Sequence, residues 1–246
     1  MRILVIDDEV DLCENMRDIL GDLGHDVTIA HDGPSALEVA ASSPPFDVAL
    51  IDLKMPGMDG LTLYRELKRR RPAMVALLVT AHAGGDTHDR AAREGAFRVV
   101  PKPVHFPALH ALLDEALGRP LVLVVDDDRD LCENLHDLLR ERGYRVALAH
   151  TEADAQAQLI DNRFQAVFID MKMPESDPAR LFELARVTNP DARTLLITAF
   201  RPEMDGLIDA ILARGADAVC YKPFQVPELL GTLERLLVSE GPSGAA

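Results

Sequence analysis

Asp47-Val-Ala-Leu-Ile-Asp52-Leu-Lys-Met-Pro-Gly-Met-Asp-Gly60 has the pattern of a buried strand that hands a carboxylate to a loop. Val48, Ala49, Leu50 and Ile51 form an unbroken apolar run, as a strand covered on both faces would, and Asp52 follows at its carboxyl end. In an open parallel sheet that edge is where ligands bind. The same pattern returns as Gln165-Ala-Val-Phe-Ile-Asp170-Met-Lys-Met-Pro-Glu-Ser-Asp177, with Asp170 in the place of Asp52.

Working outward from these two stretches, the whole chain is a tandem duplication. Asp7-Asp8 recurs as Asp126-Asp127 at an offset of 119, Asp52 as Asp170 and Thr80 as Thr198 at 118, and Lys102 as Lys222 at 120. Asp11-Leu-Cys-Glu-Asn15 is identical to Asp130-Leu-Cys-Glu-Asn134. The period is far too long for a solenoid, so each copy is expected to fold as a domain. The expected boundaries are 1–118, a linker at 119–120, a second domain over 121–238 and a flexible tail over 239–246. So short a linker predicts a restricted relative orientation.

Within the first copy, apolar strands alternate with amphipathic helices. Strands are predicted at 3–6, 27–30, 48–51, 75–79 and 97–100, and helices at 10–23, 34–41, 59–71, 86–94 and 107–117. Gly24 suits a helix end that needs positive φ, and Gly33-Pro34 a helix start. Five successive βα units predict a parallel sheet with helices on both faces, joined by right-handed crossovers.

Composition narrows the function classes. The 246 residues are 48% hydrophobic with a mean hydropathy of zero and no Trp, as in an ordinary globular protein. No apolar run approaches the length of a bilayer span, and acids follow the first few apolar residues, so no signal peptide is expected and a cytoplasmic location is. Cys13, Cys132 and Cys220 are too few and too scattered for a disulfide framework or a zinc site, and are expected to be reduced core residues. The net charge of −15 divides into 13 basic against 19 acidic residues over 1–119 and 13 against 22 over 120–246. Neither half suits nucleic acid.

Each copy places polar groups at strand ends that open on one sheet edge: Asp7 and Asp8, then Asp52, Thr80 and Lys102. Three ionised carboxylates cannot share a small volume without a cation. Oxygen ligands with positions left for water and phosphate suit Mg2+. A carboxylate beside such a cation, an ammonium and a hydroxyl is suited to attack a phosphoryl group.

Asp7-Asp8, Asp52, Lys54-Met55-Pro56, Thr80-Ala81 and Lys102-Pro103 resemble the phospho-acceptor receiver domain of two-component response regulators. Asp126-Asp127, Asp170, Lys172-Met173-Pro174, Thr198-Ala199 and Lys222-Pro223 resemble a second one. The resemblance implies an α/β architecture of two flavodoxin-like (βα)5 doubly wound domains, each with a five-stranded parallel sheet of order 2-1-3-4-5. It implies Mg2+ held by Asp8, Asp52 and the Lys54 carbonyl with Asp7 through water, and by Asp127, Asp170, the Lys172 carbonyl and Asp126 in the second copy. Asp52 and Asp170 would be the acceptors, assisted by Thr80 with Lys102 and by Thr198 with Lys222, and the Lys-Pro bonds are expected to be cis. The implied protein is not an enzyme in its own right. It is a response regulator without an effector domain, charged by a sensor histidine kinase or a histidine phosphotransfer protein. Its output would run through a downstream protein or dimerisation, with no direct nucleic acid or membrane contact.

The copies depart from that family in places. Receivers commonly carry an aromatic three residues before the strand-five lysine, where this chain has Val99 and Val219. Gly57 becomes Glu175 and Gly60 becomes Pro178, which predicts a stiffer second acceptor loop. His82 and Phe200 stand two residues beyond Thr80 and Thr198, and Phe200 is expected to shield its site better. Asp11 and Asp130 are expected to be solvated first-turn residues, and Lys68-Arg69-Arg70-Arg71 to complement a helix C-terminus. None of the eight His residues shows ligand spacing.

Two other readings compete. A haloacid-dehalogenase-like phosphatase uses a strand-end Asp with Thr, Lys and Mg2+, but wants a second acid where Lys54 and Lys172 stand. A pseudo-receiver scaffold is disfavoured because the acceptor set is complete in both copies.

Overall fold

A computed structural model describes residues 1–81, 91, 96–199 and 205–238. Most of the helix expected at 86–94, the comparison of His82 with Phe200, and the tail lie outside the described residues. The chain divides into two compact units, Met1–Gly118 and Arg119–Ala246.

The first unit runs β1 Arg2–Ile6, α1 Val10–Asp22, β2 Asp26–Ala30, α2 Gly33–Ser42, β3 Val48–Asp52, α3 Gly60–Arg70, β4 Val75–Thr80, β5 Arg98–Pro101 and α4 Phe106–Gly118. The second runs β6 Leu121–Val125, α5 Arg129–Glu141, β7 Arg145–Ala149, α6 Glu152–Asp161, β8 Ala166–Asp170, α7 Pro178–Thr188, β9 Arg193–Ala199, α8 Asp205–Ala213, β10 Ala218–Lys222 and α9 Val226–Val238. All pairings are parallel, in the orders β2-β1-β3-β4-β5 and β7-β6-β8-β9-β10, which is the expected 2-1-3-4-5 arrangement twice.

Strand alternation sorts the core into two layers. Leu4, Ile6, Ala49, Ile51 and Leu78 face α2 and α3, where they meet Ala36, Leu63 and Leu67. Ile3, Val5, Val48, Leu50 and Leu77 point the other way, onto Cys13, Met16 and Leu20 of α1 and Leu109 and Leu113 of α4. Both faces are covered, which is why the central strands are uninterrupted apolar runs. Each such side chain removed from water contributes about 1.5–3 kcal/mol.

The ladder carries β3 and β4 one residue beyond their apolar runs, through Asp52 and Thr80. Asp52 pairs with Val79, and Leu53 N–H donates to Val79 O at 2.9 Å. The polar residues are thus the last rungs of a rigid sheet rather than the first residues of loops. Arg71, the last of the basic run, is more than a helix-dipole partner, since its Nη2 donates to Ala40 O at 3.1 Å and ties α3 to α2. Asn189 performs the same task in the second unit, donating to Leu159 O at 3.0 Å and accepting from Phe164 N–H at 2.7 Å. No helix among the described residues is long and apolar enough to cross a membrane.

Candidate phospho-acceptor sites

Both sites form at the carboxyl edge of the sheet. In the first unit Asp7 follows β1, Asp52 ends β3, Thr80 ends β4 and Lys102 follows β5. Asp7, Asp52 and Thr80 are buried. Lys102 reaches in from the edge, with Nζ 2.7 Å from Asp7 Oδ2 and 2.9 Å from Asp52 Oδ1. The second Asp52 oxygen accepts from Lys54 N–H at 2.7 Å, and Asp7 Oδ1 from Glu9 N–H at 3.1 Å. Lys102 N–H donates to Thr80 O at 2.8 Å, which fixes the lysine backbone beside the threonine.

The second unit repeats this geometry. Lys222 Nζ lies 2.6 Å from Asp126 Oδ2 and 3.1 Å from Asp170 Oδ1, and Lys172 N–H donates to Asp170 Oδ2 at 3.1 Å. Thr198 is buried one residue before the end of β9 and donates to Ala199 O at 3.0 Å. Both lysines precede cis prolines, at Lys102-Pro103 and Lys222-Pro223.

Burial alone would lower the pKa of Lys102, but its hydrogen bonds to Asp7 and Asp52 and their charges outweigh it, and the pKa is raised. Lys222 is raised in the same way by Asp126 and Asp170. Both ammonium groups are therefore charged at neutral pH. Burial, seconded by the Asp126 charge, raises the Asp170 carboxyl.

The sites differ in their acids. Carboxylate oxygens of Asp126, Asp127 and Asp170 lie within 4.8 Å of one another, a span that one cation fills. Among the described residues this is the one group of three potential ligands found to close in this way. In the first site Glu9 also reaches Lys102, at 3.4 Å. Its counterpart Asp128 instead caps α5, accepting from Leu131 N–H at 3.1 Å. The donor set in both units is oxygen alone, which fits a hard divalent cation.

The loops that follow Asp52 and Asp170 also diverge. Gly57 has φ +80° and Glu175 keeps that region at φ +52°, a conformation costly for a residue with a Cβ. At Gly60 a Cβ would stand 2.1 Å from Asp52 O, so only glycine allows that approach. Pro178 takes the position as the first residue of α7. Met58 packs over Gly33 in the first unit, whereas in the second Glu152 replaces that glycine and accepts from Asp177 N–H at 2.8 Å. Asp59 and Asp177 cap their helices alike, each accepting from two backbone amides.

The structure brings Asp7, Asp52 and Lys102 together, and Asp126, Asp127, Asp170 and Lys222, with Lys54 and Lys172 donating backbone N–H to the Asp52 and Asp170 carboxylates. Asp8 is exposed at the rim. Asp11 and Asp130 are exposed, and the cysteines are free and buried. Val99 is buried and Val219 half-buried, so no aromatic occupies that position. Tyr221, 43% exposed and opposite Thr198 in the ladder, is an aromatic that attention to Val219 passed over. Sequence reasoning also missed His31 with Cys13 and His150 with Cys132, which donate to the Asp7 and Asp126 carbonyls. Their signal was the offset of 119, identical to that of Asp7 and Asp126.

The sequence model of the response regulator receiver domain matches residues 3–114 and again 122–234. A response regulator receiver protein of Anaeromyxobacter sp. (strain Fw109-5) is 34% identical over 235 residues, 96% of this chain and 94% of that protein. The transcriptional regulatory protein ZraR of Escherichia coli (strain K12) is 36% identical over 116 residues, 47% of this chain but 26% of that protein. The chain thus spans about a quarter of that regulator and nearly all of the Anaeromyxobacter protein. A solved receiver domain from Clostridium thermocellum is 32% identical, with a TM-score of 0.45, covering 48% of this chain and 94% of that one. With two matches that together take in most of its length, this chain belongs to the response regulator receiver family, as two receiver domains in tandem.

Proposed function

We propose that Asp52 and Asp170 accept phosphoryl groups from a sensor histidine kinase or a histidine phosphotransfer protein, and that the charged domains signal through protein contacts. The observation that carries this reading is the lysine bridging two buried carboxylates at the same sheet edge in both units. An Asp52 oxygen attacks phosphorus as the phosphorus–nitrogen bond to the donor imidazole breaks, and the departing nitrogen keeps the electron pair. Lys102 stands where an oxygen of the transferred group gains charge, and Thr80 is the hydroxyl on that strand edge able to donate to another. Lys222 and Thr198 take these roles at Asp170.

Asp8, Asp52 and the Lys54 carbonyl, with Asp7 through water, would hold Mg2+ in the first unit. Asp127, Asp170, the Lys172 carbonyl and Asp126 would do so in the second. When bound, the ion supplies neutralisation of the phosphoryl oxygens. The added phosphoryl charge and acceptor oxygens give Thr and Lys a new partner, which is the change a docking protein in the cytoplasm would read. The net charge of −15 argues against nucleic acid as the direct target.

The test is phosphotransfer from histidine kinases of the host, each autophosphorylated with labelled ATP, in Mg2+. Label is expected to pass to this chain from at least one donor. Free phosphate released without labelled protein would favour the phosphatase reading, and no transfer from any kinase would favour a scaffold.

A further inference from the structure

The carbonyl oxygen of Asp7 accepts two side-chain hydrogen bonds, from the Cys13 thiol at 3.3 Å and from His31 Nδ1 at 3.3 Å. The second unit repeats the arrangement on Asp126 O, with Cys132 at 3.3 Å and His150 Nδ1 at 3.1 Å. The cysteines come from α1 and α5, and the histidines directly follow β2 and β7. A carbonyl oxygen only accepts, so the ring nitrogen facing it carries a hydrogen. By the same argument each thiol facing its carbonyl oxygen is the donor.

The rest of the aspartate is held as well. Asp7 N–H donates to Ala30 O at 3.2 Å and Asp126 N–H to Ala149 O at 3.0 Å. One oxygen of each carboxylate accepts from the backbone two residues on. The carbonyl clamp therefore closes the last backbone freedom of a residue whose side chain faces the lysine and the acceptor. Comparison of the two copies isolates the histidine: Asp32-Gly33-Pro34 has become Thr151-Glu152-Ala153, while His31 and His150 on their N-terminal side are unchanged.

We propose that His31 with Cys13, and His150 with Cys132, are positioning residues of the two acceptor sites, which hold the first-strand aspartate by its carbonyl so that its carboxylate is already aimed at the divalent cation and the lysine. This deepens the receiver reading and rests on it. Side chains that orient a ligand from behind are worth about 10- to 100-fold in metal affinity when they touch the ligating group itself. Acting through the backbone, these are expected to contribute less.

The experiment is a Mg2+ titration of the full chain without any phosphoryl donor, followed by NMR at the Lys54 amide for the first site and the Lys172 amide for the second. His31→Leu removes the ring donor and His31→Asn restores an N–H at nearly the Nδ1 position. His31→Leu is expected to weaken Mg2+ at Lys54 by about 3- to 10-fold, with Lys172 unchanged, and His31→Asn to recover most of that loss. Cys13→Ala and Cys13→Ser should behave as the matching pair. An unchanged constant at Lys54 in His31→Leu would overturn the proposal while leaving the receiver reading intact. Equal weakening at Lys172, or no recovery in His31→Asn, would make the histidine merely structural and overturn it too. If neither amide of the parent chain responds to Mg2+, the proposed Mg2+-dependent acceptor function falls and this proposal with it.

Discussion

At the scale of single residues, the two lysines show how much chemistry one side chain can organise. Lys102 and Lys222 each span two buried carboxylates, and those contacts keep them charged despite burial. Asp7, Asp52, Thr80 and Lys102 were legible in the sequence because each is a polar residue at the end of an apolar run. His31 and Cys13 were not, because they act through a main-chain carbonyl that no side-chain motif announces. Asp59 offers a residue-scale test. Hydrogen bonds, the Thr62 amide first, hold its carboxyl below the ordinary value. A depressed folded-state pKa stabilises above the unfolded value, near ~4, and that stabilisation is lost as pH falls through the folded value. Asp59→Ala is therefore expected to cost about 1 kcal/mol at neutral pH. The deficit should shrink in denaturant titrations as pH falls below the unfolded value and through the depressed folded one, because protonation removes the charged cap from the parent.

At the scale of elements, the βα alternation located every described helix and strand of the first unit, because a parallel sheet covered on both faces leaves period and run length as clear signals. Ends were less legible. The sheet ladder continues through Asp52 and Thr80, since backbone pairing does not stop where apolarity does. The acceptor loops show the same limit. The changes from Gly57 to Glu175 and Gly60 to Pro178 were visible, but the compensating Glu152 lies on another element, and only the fold brings its carboxylate to Asp177 N–H. That charged hydrogen bond ties the second acceptor loop to α6, where the first unit uses Met58 over Gly33. Removing such a bond is worth roughly 1.5–3 kcal/mol. Glu152→Ala is expected to speed hydrogen exchange at the Asp177 amide by about tenfold or more, with the Asp59 amide unaffected. Unchanged exchange at Asp177 would remove the tether from the account.

At the scale of the whole molecule, duplication is the organising fact. Both units keep the strand order and the set of two acids, acceptor, threonine and lysine, while their loops and outer acids have diverged. The duplication was plain from offsets of 118 to 120, whereas the grouping of the Asp126, Asp127 and Asp170 carboxylates within 4.8 Å depends on side-chain placement that spacing cannot encode. The central proposal is that Asp52 and Asp170 both accept phosphoryl groups. Intact mass after incubation with acetyl phosphate and Mg2+ tests it directly, on the parent chain, on Asp52→Asn, on Asp170→Asn and on the double variant. Up to two phosphoryl additions are expected on the parent, one on each single variant and none on the double variant or in EDTA. A parent chain that gains no mass, or a double variant that still gains two additions, would contradict the account.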